Sequence, residues 1–233
     1  VSSVPAPRAR HARVRMTRAE RREQLIEVAT GLFAERGLEG TSVEEIAAHA
    51  QVSKPVVYEH FGGKEGLYAV VVDREIRTLH DGIHVAITRH TNPRRLIELG
   101  TLALLDYIED HPDGFRIIAR DSSPYTTSGS FQTILSSVAS RVEGLLAEQL
   151  AGRGFDPQTA PLYSQMLVGL VALAGQWWVD ARVTSGMNKP EVAAHLVNLA
   201  WNGMRNLQVS PQLRIVDDHQ PEVDTPSEPD DVA

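Results

Sequence analysis

Residues 41–64 read TSVEEIAAHAQVSKPVVYEHFGGK, and this stretch decides the fold. Ser42-x-x-Glu45 is a capping box, in which the serine oxygen takes a free N–H three residues on and the glutamate returns to the serine N–H. A short helix therefore starts at Val43, with Val43, Ile46, Ala47 and Ala50 on one face. Ser53 offers an N-cap for a second short helix, and Pro55 is tolerated in its first turn because the missing N–H has no partner there. Val57 and Phe61 point inward from this helix, and Gly62-Gly63 breaks it. Two such helices, joined by three or four residues, bury too little to fold alone. They need a third wall.

The chain supplies that wall upstream. Thr17-x-x-Glu20 is another capping box, and Leu25, Val28, Ala29, Leu32 and Phe33 follow at helical spacing until Gly37. A trihelical wedge of this kind is the helix-turn-helix arrangement, whose last helix lies in the major groove of DNA. Downstream, Lys64 starts a long helix with Leu67, Val71, Val72, Ile76, Leu79, Ile83 and Ile87 in phase. Asn92-Pro93 opens a largely apolar helix through Ile108, and a short helix is expected near residues 113–120. A polar loop over 121–130 leads to an amphipathic helix over 131–150. Asp156-Pro157 caps a long helix to about Ser185, and Asn188 caps a last one through Leu207. Sustained period-two alternation is absent, so the fold class is all-α with about nine helices.

The net charge of −7 argues against DNA binding, but its distribution does not. Asp217, Asp218, Glu222, Asp224, Glu228, Asp230 and Asp231 lie in a tail without Lys or Arg and account for it all. At the other end, Arg8, Arg10, Arg13, Arg15, Arg18, Arg21 and Arg22 face only Glu20 before Glu23. Local charge is what a phosphate backbone feels. Residues 1–16 are expected to form a disordered Arg-rich arm suited to a minor groove, and 208–233 a disordered acidic tail. A translation start at Met16 would remove the arm.

The chain contains no cysteine, which excludes disulfides, thiolate metal sites and cysteine nucleophiles. The apolar run 166–175 is too short for a membrane span, and no apolar segment follows the basic start, so a cytoplasmic protein without membrane or cofactor is expected. His80 and His84 stand one helical turn apart, but no third ligand is placed near them, so no metal site is expected. Nor does the chain show a Gly-rich phosphate loop, a nucleophile-base pair in context or paired carboxylates. It is not expected to be an enzyme.

The order Arg22-x-x-Leu25-Ile26-x-x-Ala29-x-x-Leu32-Phe33-x-x-x-Gly37, followed by Thr41-Ser42-Val43-x-x-Ile46-Ala47-x-x-Ala50-x-Val52-Ser53-Lys54-x-x-x-Tyr58-x-His60-Phe61-x-x-Lys64-Glu65-x-Leu67, resembles the TetR-type (TetR/AcrR) transcriptional regulators. The resemblance implies a helix-turn-helix DNA-binding domain over 17–63 and a helical ligand-binding and dimerisation domain over 64–207. Thr41 and Ser42 would face a phosphate at a helix N-terminus. Ser53, Lys54, Pro55 and Val56 would open the recognition helix toward base edges, while Tyr58, His60 and Lys64 would reach the backbone. The expected function is that of a homodimeric repressor on a near-palindromic double-stranded operator, released by a small, mostly apolar effector. The alternative is a body controlled by a protein partner, with no pocket. Candidate pocket residues are Leu104, Tyr107, Ile108, Phe115, Phe131, Leu135, Met166 and Trp177.

Three departures from the family pattern stand out. Gln51 stands where glycine is common in the turn, and a positive φ there would cost roughly 1 kcal/mol. Pro55 and Val56 offer no side-chain hydrogen bonds, which leaves methyl contacts and DNA shape to specify sequence. Gly63 replaces the commoner hydroxyl cap.

Overall fold

The computed structural model describes residues 16–88, 92–120 and 130–212; the expected arm, most of the acidic tail and most of the 121–130 loop lie outside them. Among the described residues there are nine α-helices and no strand. The helices are α1 (Arg18–Arg36), α2 (Val43–His49), α3 (Lys54–Phe61), α4 (Lys64–Thr88), α5 (Pro93–Asp110), α6 (Pro112–Arg120), α7 (Phe131–Ala151), α8 (Ala160–Ala181) and α9 (Lys189–Arg205).

Their starts follow local chemistry. Reciprocal capping boxes form at Thr17 with Glu20, Ser42 with Glu45, Ser130 with Thr133 and Asn188 with Glu191. The expected cap at Asp156 opens a 3₁₀ turn, Pro157–Thr159, and the α-helix proper begins at Ala160. This helix ends at Ala181 rather than near Ser185, because the carbonyl of Ala181 accepts the Thr184 and Ser185 N–H groups in a tight turn. The last helix likewise stops at Arg205 rather than Leu207.

One apolar core runs from Leu25 in α1 to Leu196 in α9. In the N-terminal wedge, Leu25, Ala29, Ile46, Ala50, Val57 and Leu67 are sealed from solvent. The Phe33 ring meets Tyr68 of α4 edge-on at 5.1 Å, so the fourth helix belongs to this packing as well. The 25 residues of α4 make a rod of roughly 37 Å that leaves the wedge and enters the body. A smaller cluster of Leu146, Leu150, Phe155 and Ala160 closes the far end of the body.

Near the middle of α4, Glu75 is 7% exposed, and its Oε2 accepts a 2.8 Å bond from the Tyr107 hydroxyl of α5. Gly114 of α6 closes over the same carboxylate so tightly that a Cβ there would fall 2.2 Å from Oε2. Burial, followed by the Glu75 charge and hydrogen bond, pushes the Tyr107 phenol well above its ordinary range.

The stretch Pro157–Ala181 is long and apolar enough to span a membrane by length and composition. Its inner side, at Ser164, Val168, Ala172, Trp178 and Val179, is buried in this chain. Its outer side leaves Leu162, Met166, Leu173 and Trp177 exposed, and Leu199 of α9 is exposed as well.

Candidate nucleic-acid interface

Val57 is fully buried in α3 and Phe61 half-buried, with the Arg22 guanidinium 4.8 Å above the Phe61 ring. These anchors leave Lys54, Pro55, Tyr58 and Glu59 exposed on the opposite side. The turn between α2 and α3 depends on Gln51, which adopts φ 54° and is the single non-glycine with positive φ among the described residues. The helix ends on Gly62 in the left-handed conformation. Immediately afterwards α4 passes so close that a Cβ on Gly66 would lie 2.0 Å from the Phe61 carbonyl. The recognition helix and the first turn of the rod are thus in backbone contact.

The expected DNA-facing residues divide into two sets. Tyr58 is 54% exposed, and Ser53 stands at the start of α3 with no cap hydrogen bond on its side chain. Lys54 is exposed and pairs with Glu44 of α2, an arrangement that holds the Glu44 carboxyl below its usual range, chiefly through the hydrogen bond. Both partners are in water, so phosphate can replace Glu44 at little cost. Val56 and His60 are half-buried at the edge of the same face, with the His60 ring 6.0 Å from Phe61.

Three side chains are committed to the fold. Thr41 is 2% exposed and donates to the Gly37 carbonyl at 2.8 Å, so its hydroxyl is turned away from any phosphate. Ser42 is engaged by Glu45, whose carboxyl its bonds lower, so both its hydroxyl and its backbone N–H are taken. Lys64 reaches back to the Leu38 carbonyl at 3.0 Å and ties α4 to the turn after α1. Glu59, exposed among the α3 residues, was not singled out by motif; a carboxylate there can accept from a cytosine amino group.

The body holds a partly open cavity of about 190 Å³ between α4, α5, α7, α8 and α9. Leu104, Phe131 and Leu135 line it, together with Ile83 and Ile87 from the far end of α4. Tyr107, Ile108 and Phe115, expected in its wall, are core residues outside it: Tyr107 faces Glu75, and Phe115 packs against Phe131. Met166 and Trp177, also expected there, are 56% and 52% exposed on the outer side of α8. An apolar stripe marks a helix face without saying which neighbour covers it.

Comparison with known proteins agrees with this geometry. Residues 25–71 match a family profile described as bacterial regulatory proteins of the tetR family, and 93–203 match one described as a tetracyclin repressor-like C-terminal domain. Over 200 residues the chain is 27% identical to the HTH-type transcriptional activator FasR of Mycolicibacterium smegmatis, covering 84% of this chain and 88% of FasR. It is 30% identical over 105 residues to the HTH-type transcriptional repressor SCO4008 of Streptomyces coelicolor, covering 45% and 51% of the two. A crystal structure of a TetR-like transcriptional regulator from Rhodococcus sp. RHA1 superposes with a TM-score of 0.61 at 27% identity, over 83% of this chain and all of that one.

Proposed function

The chain belongs to the TetR family of DNA-binding transcriptional regulators, and on that premise we propose that it is a cytoplasmic homodimeric repressor whose grip on a near-palindromic operator is released by a small apolar effector. The observation that carries the effector half is continuity along α4. Its Gly66 end is pressed against the recognition helix, and its Ile83 and Ile87 end lines the cavity. An occupant that prefers one tilt of this rod shifts the population of head positions by its differential affinity for the two states.

The dimer half rests on the outer sides of α8 and α9. Leu162, Met166, Leu173, Trp177 and Leu199 form an apolar surface that a second copy covers in a four-helix packing. Two-fold symmetry then sets the recognition helices about one DNA turn, roughly 34 Å, apart. At each half-site Ser53, Lys54, Pro55, Val56, Tyr58 and His60 meet the duplex.

Binding to genomic fragments tests this reading. Affinity is expected to fall by on the order of 10³ or more between 50 and 200 mM salt. Tyr58→Phe with His60→Ala weakens all sequences alike, whereas Val56→Ala changes preference at one base. FasR carries the name of an activator, which favours a second reading in which the same grip raises transcription. Transcript levels in a deletion strain separate the two, rising for a repressor and falling for an activator.

A further inference from the structure

The cavity is shaped by one helix. Phe131, Leu135, Val138, Val142, Leu146 and Leu150 recur at three and four residues down a single face of α7, and all of them line it. From the first to the last of these the helix rises roughly 28 Å. A cavity of about 190 Å³ whose lining follows this face from Phe131 to Leu150 suits a long, thin ligand better than a compact ring system.

Charge and hydrogen bonding are segregated along it. The charged residues lining the cavity are Arg141, Arg153 and Arg205, each exposed to solvent, and no acid is among them. Arg153 and Arg205 adjoin, since the Arg153 guanidinium donates to the carbonyls of Met204 and Arg205 at 3.0 Å. Inside, Thr101 is 1% exposed, lines the cavity, and its Oγ1 has no hydrogen-bond partner among the described residues. A buried hydroxyl without a partner is an uncompensated desolvation that an occupant's oxygen repairs.

We propose that the α7 channel binds one long unbranched acyl chain, with a neutral oxygen of the ligand bonded to Thr101 and an anionic head group at the Arg153–Arg205 rim. This rests on the effector reading above and gives it a chemical class. An apolar tail suits the dry walls, and an anion is stable only where guanidinium groups and water reach it. An acyl thioester with a phosphorylated head presents both groups, a carbonyl for Thr101 and a phosphate for the rim, whereas a free fatty acid has a carboxylate alone and reaches one of the two.

The test measures binding to the full chain by tryptophan fluorescence, Trp201 being in the cavity wall. The probes are straight-chain fatty acids of increasing length, palmitoyl-coenzyme A and methyl palmitate. Binding is expected to tighten about fourfold per added methylene until the channel is filled. Arg205→Gln weakens palmitate or palmitoyl-coenzyme A, whichever binds, and leaves methyl palmitate unchanged; the arm that responds identifies the source. Val138→Phe blocks the channel midway and abolishes the gain from long chains while short ones still bind. Thr101→Val raises the melting temperature of the empty protein yet weakens the bound acyl compound about fivefold or more.

Affinity independent of chain length, methyl palmitate binding as tightly as the anionic probes, or a Thr101→Val variant that binds unchanged would each overturn the proposal. If acyl probes fail but a compact molecule releases the operator, the acyl assignment falls and the effector reading stands. If no small molecule binds while operator binding is intact, both fall.

Discussion

Replacing Tyr107 with Phe removes one hydroxyl and strands one buried carboxylate. Glu75 is 7% exposed and pressed by Gly114, so water cannot readily replace the lost 2.8 Å bond. Leaving a buried acceptor unsatisfied costs about 1–3 kcal/mol, and a charged one lies at the upper end. We therefore predict that Tyr107→Phe lowers unfolding stability by about 2–3 kcal/mol at pH 7, measured by urea titration. The same pair makes an alkaline prediction. The phenol is held above its ordinary value, so between about pH 10 and its folded value the unfolded chain has released a proton that the folded chain retains. Stability then falls with rising pH, by up to about 1.4 kcal/mol per unit from this group alone, and Tyr107→Phe lacks that component. Glu75→Gln keeps an acceptor for the hydroxyl and removes the buried charge, so it is the milder change. A Tyr107→Phe variant within about 0.5 kcal/mol of wild type, with the same slope above pH 10, would refute the reasoning; the margin is that of a neutral surface substitution.

Four other substitutions probe the head, the rod and the outer face. Gly66→Ala forces a Cβ against the Phe61 carbonyl, and we expect loss of operator binding with the far-ultraviolet helix signal of the body retained. Gln51→Gly relieves a left-handed φ and should stabilise the chain by up to about 1 kcal/mol, read as a higher urea midpoint. Lys64→Ala removes the tie to Leu38 and should cost about 1 kcal/mol of stability while leaving the salt slope of DNA binding nearly unchanged; a slope reduced by about one would return Lys64 to phosphate duty. Leu173→Glu, at an exposed site of α8, should yield a monomer by light scattering, with the monomer's helicity unchanged.

Most of the fold could be read locally because its helices announce their starts. Thr17, Ser42 and Asn188 each stand three residues before a glutamate, and the turn at Gln51 adopts the positive φ that its place in the motif suggested. The end of α8 was less legible, since no glycine or proline stands between Ala181 and Gly186 to mark it. The site was legible by halves. Exposure of Tyr58 and burial of Val57 follow from helical phase, but Thr41 and Lys64 carry residue types suited to phosphate that are used to brace the wedge. The cavity wall was the least legible, because Leu104 and Ile108 look alike on a helix and differ only in which neighbour they meet. Two polar residues had a usable signal. Glu75 falls between Val71 and Leu79 on the apolar stripe of α4, and Thr101 precedes Leu104, Leu105 and Ile108 on that of α5. A polar residue in core phase is a request for a partner.

The position of Glu75 also sets the gearing of the molecule. Nine residues separate Gly66 from Glu75 and twelve separate Glu75 from Ile87, arms of roughly 14 and 18 Å. A stiff helix pinned at Glu75 swings as a seesaw, so a push of one ångström at Ile87 returns only about three quarters of that, in the opposite sense, beside the DNA. The single chain has no mechanical advantage, and in the proposed dimer any gain in stroke would come from two such levers swinging in mirrored directions across a shared axis.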